Sequence, residues 1–270
     1  MRTAAALLAD SGLSRAEARL LLASVLAVPI ESLIAHPEQT IEDEVAARFA
    51  HLAERRAQDE PIAYLVGAKE FFGRPFAVSP AVLIPRPETE SLVQLALNRL
   101  LRLPAPTVLD LGTGSGCIAI TLALECPAAT VVAVDRSAEA LAIAGANAQR
   151  LGANVDFAAS DWYANVDGVF DVIVANPPYV AAGDAHLPAL RHEPQFALVA
   201  GADGLADLRR IIAGAPAYLR PGGWLAVEHG YEQAAAVREL FARSELGEIV
   251  SYRDSAGIER VCAASASGGR

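Results

Sequence analysis

Lysine is almost missing from this 270-residue chain: Lys69 is the only one, and arginine carries the rest of the fixed positive charge. Acidic residues outnumber basic ones 32 to 22, for a net charge of −10. That balance argues against a broad electrostatic grip on nucleic acid, because proteins that hold phosphates cluster Lys and Arg against them. Cysteine is equally scarce. Cys117, Cys126 and Cys262 form no CxxC pair and no recurring spacing, so neither a zinc site nor a disulfide framework is expected, and a reducing cytoplasm is the expected location. No apolar run approaches the ~20 residues of a membrane span, so no membrane association is expected. The stretch Ala4–Ala9 behind Arg2 resembles a short signal peptide, but Asp10 interrupts it.

What the chain does have is apolar material. Hydrophobic residues make up 53% and charged residues 20%, enough for one large domain beside a small one. Residues 1–60 read as a small helical domain. Ser14 with Glu17 has the spacing of a capping box, and Leu20, Leu21, Val25 and Val28 recur at helical intervals until Pro29. A further helix is expected from Ile41 to Gln58, with Val45, Phe49 and Leu52 on one face. Ten acids and six bases in this segment give no basic arm. Residues 61–90 form a linker of different texture, where Pro61, Gly67, Gly73, Pro75 and Pro80 punctuate Phe71, Phe72 and Phe76, a pattern that suits a hairpin. Pro87, Glu88 and Glu90 then suit a helix start.

From Thr107 the rhythm is strand, turn, helix, and it fills a domain over 91–270. Strands are expected at 108–111, 131–135, 155–159, 170–175, 224–228, 249–253 and 260–264. Helices are expected at 118–124, 138–151, 205–219 and 232–243. This alternation predicts an α/β fold, a seven-stranded Rossmann-like parallel sheet covered on both faces. Ligands in such sheets bind beyond the carboxyl ends of the strands.

Every motif of interest falls at such an end. Asp110-Leu111-Gly112-Thr113-Gly114-Ser115-Gly116 follows a strand and opens a helix. Its glycines permit tight left-handed turns and close approach of a ligand to the backbone. Asp135 ends the next strand, where a carboxylate can accept both ribose hydroxyl hydrogens. The pair of features suits any adenosine-bearing cofactor, NAD or S-adenosylmethionine. Asp161-Trp162, after the third strand, offers a carboxylate for an adenine amino group and an indole to lie beside the ring.

Asn176-Pro177-Pro178-Tyr179 decides between them. Consecutive prolines end a strand ladder and force extended geometry on the residue before each. The result is a stiff platform that presents the Asn176 carboxamide, the Pro177 carbonyl and the Tyr179 ring. An amide nitrogen is a poor nucleophile, because its lone pair is delocalised. Two acceptors, Asn176 and the Pro177 carbonyl, can grip both its hydrogens and aim it at a methyl sulfonium, while Tyr179 stacks on the flat group. A nicotinamide enzyme gives no reason for the prolines. Asn176, Pro177 and Tyr179 are therefore the candidate catalytic residues, and Asn176 through Tyr179 the substrate platform. Gly112, Thr113, Gly114, Ser115, Gly116, Asp135, Asp161, Trp162 and Asn176 are the candidate residues for S-adenosyl-L-methionine.

The surroundings narrow the reading further. Phe71, Ser79-Pro80, Leu83 through Glu90, Asp110–Gly116, Ala133-Val134-Asp135, Ser160-Asp161-Trp162, Asn176–Tyr179, Glu193-Pro194, Asp203-Gly204 and Glu228-His229-Gly230 together resemble the HemK/PrmC family. The similarity runs from about Pro61 to about Val261. His192 is the one visible departure, standing where an aromatic residue is expected. The resemblance implies a methyltransferase for the glutamine of the Gly-Gly-Gln motif in bacterial peptide chain release factors. It implies a protein substrate, no direct nucleic-acid binding, and cofactor contacts from Gly112–Gly116, Asp135, Trp162 and Asn176. A monomer is expected, and no metal. Adenine or guanine N-methylation is the rival among enzymes, and a non-catalytic adaptor the rival outside them. Arg86 through Glu90 either border the site or only start a helix. His229, as the strand neighbour of Glu228, faces the opposite side and reads as packing.

Overall fold

The computed structural model describes residues 1–267 and divides into two compact units, Met1–Ala68 and Lys69–Arg270. The first contains β1 (Arg2–Thr3), α1 (Ala4–Asp10), α2 (Arg15–Leu26), α3 (Ile30–Ala35), β2 (Thr40–Ile41), α4 (Asp43–Ala57) and α5 (Ile62–Val66). Ser14 caps α2 by accepting from the Glu17 amide at 3.3 Å. Its hydroxyl also donates to Glu17 Oε2 at 2.7 Å, so the Glu17 side chain meets the serine side chain rather than the serine amide of a full capping box. Leu7, Leu21, Leu22, Leu33, Phe49 and Leu65 form one buried cluster. Leu65 belongs to α5, which is why the unit runs to Ala68 although the composition changes at Pro61.

The second unit opens with the hairpin β3 (Ala68–Phe71) and β4 (Arg74–Ala77), followed by a 3₁₀ turn at Pro87–Thr89 that leads into α6 (Glu90–Leu100). Then come β5 (Thr107–Leu111), α7 (Cys117–Glu125), β6 (Thr130–Asp135), α8 (Ala138–Leu151), β7 (Asp156–Ala159) and β8 (Phe170–Ala175). The chain continues through α9 (Ala206–Gly214), β9 (Leu219–Glu228), α10 (Ala234–Ala242), β10 (Leu246–Arg253) and β11 (Glu259–Ala266). Seven strands form one sheet in the order β10-β11-β9-β8-β5-β6-β7.

Strand side chains alternate between two cores, as the pleat requires. Val108, Val172, Val174 and Ala226 point to the face covered by Leu92 and Leu97 of α6, Ile118 and Leu122 of α7 and Ala148 of α8. Leu109, Ile173, Ala175 and Leu225 point to the face covered by Leu208 and Ile211 of α9 and Val237 and Phe241 of α10.

The expected uniformly parallel sheet holds only from β7 to β9. β11 runs antiparallel to both β9 and β10, because a tight turn rather than a crossover helix joins β10 to β11. Asp254 builds that turn: its Oδ1 accepts from the amides of Ala256 and Ile258, each at 2.9 Å. The long helix expected from Leu205 also stops early. A 3₁₀ turn at Ala215–Ala217 replaces its end, and β9 begins at Leu219 rather than Trp224.

Candidate active site

Register brings the motifs together. β5 pairs with β6 on one side and β8 on the other, so the strand order reverses there, where α/β sheets bind ligands. Leu111 is opposite both Val134 and Ala175, and Ala175 is opposite Val227. The glycine loop, Asp135, Asn176 and Glu228 all leave the sheet at one level.

The glycine loop is held from several sides. The amides of Gly112 and Thr113 both donate to the Val134 carbonyl, at 2.8 and 3.0 Å. Thr113 Oγ1 donates to Asp110 Oδ2 at 2.7 Å. Asp135 takes the Gly114 amide on Oδ2 and the Ser137 amide on Oδ1, each at 2.9 Å. Asn147, on α8, donates to the Ser115 carbonyl at 2.9 Å and forms a two-way bond with the Ala77 backbone, so it pins β4 and the loop to one helix. Gly116 has φ +81°, and a Cβ there would stand 2.7 Å from Ile120 Cδ1 and 3.1 Å from Ala144 Cβ. Glycine is what lets α7 start against α8.

A cavity opens over this loop. Gly112 through Ser115, Asp135, Asp161, Trp162 and Asn176 line it, together with Val82, Arg86, Thr89, Ile118, Phe196 and Asp207. Most of the expected cofactor residues are thus brought together; Gly116 stands behind as the start of α7. The Trp162 backbone is left-handed at φ +54°, a conformation uncommon for a bulky residue and suggestive of function. Its indole Nε1 donates to Asp207 at 3.1 Å. A Cβ on Gly112 would approach the ring to 3.1 Å, so the glycine leaves the indole its place on the wall. Asp161 faces the cavity, but its carboxylate also pairs with Arg210 at 2.7 Å, which holds it below the usual carboxylate range.

The Asn176–Tyr179 loop divides this cavity from a second. Asn176 and Pro178 line the first. Pro177 and Tyr179 line the second, with Arg86, Glu88, Glu228 and Arg260. Asn176 Nδ2 donates to Thr89 Oγ1 at 3.0 Å, whereas its Oδ1 is buried without a partner. Such an orphan acceptor is costly and calls for an explanation. Tyr179 Oη lies 3.4 Å from Glu228 Oε1. Burial first, then the charge of Glu228, push the Tyr179 phenol up. Burial pushes the Glu228 carboxyl up to about 7 despite the nearby Thr89 hydroxyl and Arg260, and its Oε2 is buried without a partner. Asp110 is likewise pushed up by burial to about 7, with the Thr113 hydroxyl opposing.

Sequence reasoning missed four supports. Thr89 and Arg86 stood in a segment read two ways; both line the cavity, and the buried Glu193 pairs with the Arg86 guanidinium and accepts from the Ile84 amide. Glu228 was passed over with His229. The two side chains do part, as the pleat predicts: His229 Nδ1 meets the Gly230 carbonyl at 2.9 Å, and burial lowers its pKa. Glu228, however, turns to the loop. Gln233 carried no signal at all. Its Nε2 donates to the Tyr179 carbonyl at 2.9 Å, and its Oε1 accepts from the Gly230 amide at 2.9 Å. Among the described residues no group of three or more His, Cys, Asp or Glu could hold a metal ion, and no helix is long and apolar enough to cross a membrane.

Comparison with known proteins gives the fold and the family. Residues 89–193 match the family model described as "Methyltransferase small domain". A 16S rRNA N2 methyltransferase of T. Thermophilus, solved in complex with AdoMet and guanosine, superposes with a TM-score of 0.55 at 20% identity, over 74% of this chain and 49% of that one. The fold and the matched domain define an S-adenosylmethionine-dependent methyltransferase. Residues 1–67 match a second model, "PrmC N-terminal domain". The release factor glutamine methyltransferase of Bordetella pertussis is 52% identical over 94% of this chain and 96% of its own length. That of Burkholderia pseudomallei is 49% identical over 99% and 96%. The chain belongs to the release factor glutamine methyltransferase family.

The cavity fits S-adenosylmethionine by the chemistry of its wall. Asp135 retains unused lone pairs for ribose hydroxyls, Trp162 and Ile118 offer apolar surface, and the left-handed Gly114, φ +56°, has nothing within 4 Å of where a Cβ would stand.

Proposed function

We propose that this chain methylates the side-chain amide nitrogen of the glutamine in the Gly-Gly-Gln motif of peptide chain release factors. The observation that carries the reading is the Asn176 carboxamide, tied through Nδ2 to Thr89 and buried at Oδ1 without a partner. When bound, S-adenosylmethionine supplies a methyl group on a sulfonium, which is electrophilic without a metal. Gly112, Thr113, Gly114, Ser115 and Asp135 hold it, with Asp161 and Trp162 at the adenine. Asn176 Oδ1 and the Pro177 carbonyl each accept one hydrogen of the substrate NH₂, and Tyr179 stacks on the amide plane. Orientation of this kind replaces a strong base, since an N-methylated, N-protonated amide loses its proton readily to water. Cys117, on the cavity wall, does not compete as nucleophile: burial raises its thiol to about 12.

The platform fits any flat group bearing NH₂, so the choice of substrate lies elsewhere. The helical unit, Met1–Ala68, recognises the release factor. A chain of net charge −10 repels polyanions and acts as a cytoplasmic monomer on protein. A contest with labelled S-adenosylmethionine tests this. A folded release factor, the same factor with its Gly-Gly-Gln glutamine changed to alanine, duplex DNA and ribosomal RNA are offered together. Label is expected only on the unchanged factor, as one methyl group. Label on nucleic acid, or on the alanine factor, overturns the assignment. Deletion of residues 1–68 is expected to keep cofactor binding and weaken methylation of the factor; equal rates would remove that unit from recognition.

A further inference from the structure

The wall of the cofactor cavity carries two aromatic side chains among the described residues, Trp162 and Phe196. Trp162 is tied down through its indole nitrogen to Asp207. Phe196 stands on a 3₁₀ turn, Gln195–Ala197, whose flanks are both fixed. Before it, the buried Glu193 pairs with Arg86. After it, Val199 bridges to Val180: the Val180 amide donates to the Leu198 carbonyl at 2.8 Å, and the Ala200 amide to the Val180 carbonyl at 3.0 Å. At the tip of this anchored turn, Phe196 is nevertheless 43% exposed.

An exposed apolar side chain is by itself ordinary. Two contacts set this one apart. The Arg136 guanidinium carbon lies 5.4 Å from the centre of the Phe196 ring, and Arg136 Nη2 donates to the Phe196 carbonyl at 3.1 Å. Arg136 directly follows Asp135 and lines the same cavity. Asp161 feels its positive charge yet pairs with Arg210, which leaves the Arg136 guanidinium to the ring. A planar guanidinium over a ring face attracts the ring and also orients it. The contact has a place in the topology as well. Arg136 leaves β6, and the Phe196 turn is bridged to Val180 just beyond β8. Those two strands flank β5, so the turn reaches across the end of β5, where the glycine loop begins.

We propose that Phe196, held by Arg136, is a cofactor-retaining residue whose ring packs on bound S-adenosylmethionine and slows its release. The inference rests on the placing of the cofactor in this cavity and not on the choice of methyl acceptor. Apolar area that ring and cofactor remove from water together favours the complex. The ring is already held at the wall by Arg136, so little freedom is lost when the cofactor arrives. A contact that exists only in the complex acts chiefly on dissociation.

The test uses the full chain and S-adenosylmethionine alone. Affinity is measured by calorimetry, release by chasing labelled cofactor with unlabelled, and stability by thermal melting. Phe196→Ala should speed release and raise the dissociation constant roughly 5- to 30-fold. Melting should stay close to that of the parent, because the ring is already half exposed. Phe196→Tyr keeps the ring and should release cofactor at nearly the parental rate. Arg136→Met keeps a long side chain without the guanidinium, and release should quicken roughly 2- to 5-fold. Arg136→Lys restores the charge and should recover part of that loss. In the Phe196→Ala background Arg136→Met should add less than it does alone, because the ring it holds is gone. A turn with only a structural role would move melting together with affinity and show neither rescue. Parental release from Phe196→Ala, release from Phe196→Tyr as fast as from Phe196→Ala, or an undiminished effect of Arg136→Met in the Phe196→Ala background would each overturn the proposal. Asp135→Ala binding cofactor like the parent would instead take the cofactor out of this cavity, and the proposal with it.

Discussion

The two sides of the Asn176–Tyr179 loop were built by different means. On the glycine-loop side the wall is built around the loop Gly112–Ser115 with Asp135, Asp161, Trp162 and Asn176, residues that follow the ends of adjacent strands. On the Tyr179 side the wall is a convergence of side chains from the segment before α6, the end of β9 and β11. Asn176 belongs to both: it lines the first cavity, and its Nδ2 is anchored by Thr89. The comparison suggests a division of labour. The first side determines how tightly the cofactor is held, and the second how well the loop is aimed.

The sharpest test of that division is Asn176→Ala. It removes one of two acceptors for the substrate NH₂, and loss of a single oriented hydrogen-bonding group in a water-excluded site typically costs ~10²- to 10³-fold in kcat. Cofactor affinity should fall far less, and melting should drop only modestly, because the Nδ2 bond to Thr89 is lost while Oδ1 has no internal partner to lose. A variant with near-normal turnover would falsify the proposed grip.

Asp135→Ala should show the opposite profile. Asp135 is nearly buried, and its oxygens already order the Gly114 and Ser137 amides. Removing it loosens the loop and deletes the ribose acceptor, so the cofactor dissociation constant should rise ~10- to 100-fold, the range for hydrogen bonds to a charged group. Turnover at saturating cofactor should change less. Unchanged binding by calorimetry would separate this carboxylate from the ribose.

How much of this could be read from the chain follows the same division. The alternation of strands and helices, the glycine loop, Asp135 and the proline pair were legible because each is a local pattern with a local physical reason. The antiparallel β11 was not, because its direction depends on whether a turn or a crossover joins it to β10, and that is fixed by Asp254 bonding its own turn. Glu228 was legible as a residue but not as a support. The pleat separated it from His229 correctly, yet nothing in the sequence puts Thr89 and Tyr179 against it. Gln233 was invisible for the same reason: its partners, Tyr179 and Gly230, are joined only by the fold.

Gly204→Ala probes the aiming side without touching a side chain of the loop. Gly204 sits at φ +71°, and a Cβ would stand 2.3 Å from the Tyr179 carbonyl oxygen and 2.8 Å from Gln233 Nε2. Backbone strain at such a position costs about 1–3 kcal/mol, and relief requires the Tyr179 backbone to shift. Melting should drop and kcat should fall with it, while cofactor affinity stays close to that of the parent. If affinity suffers more than turnover, the two sides are not separate.

The mildest change, Asp161→Asn, asks whether the cofactor side extends as far as its exposed rim. Asp161 is about half exposed and paired with Arg210 at 2.7 Å, itself half exposed. An exposed pair of this kind contributes ~0–1 kcal/mol, so melting should barely move. The Arg210 hydrogen bond keeps the Asp161 pKa below its ordinary value, so the group is ionised at neutral pH. What it adds to stability is present above the unfolded pKa and lost as pH falls through the folded one, well below the range in which turnover is measured. Any effect at neutral pH therefore reports on ligand rather than on folding. If Asp161 accepts from the adenine amino group, Asp161→Asn should weaken cofactor binding by roughly 3- to 10-fold, the value of one modest hydrogen bond. Arg210→Ala, which removes the competing partner but leaves the carboxylate, should leave binding unchanged or tighten it. Equal affinity in the parent and Asp161→Asn would reduce Asp161 to a turn residue with a surface ion pair and leave adenine recognition to Trp162 and the backbone beside it.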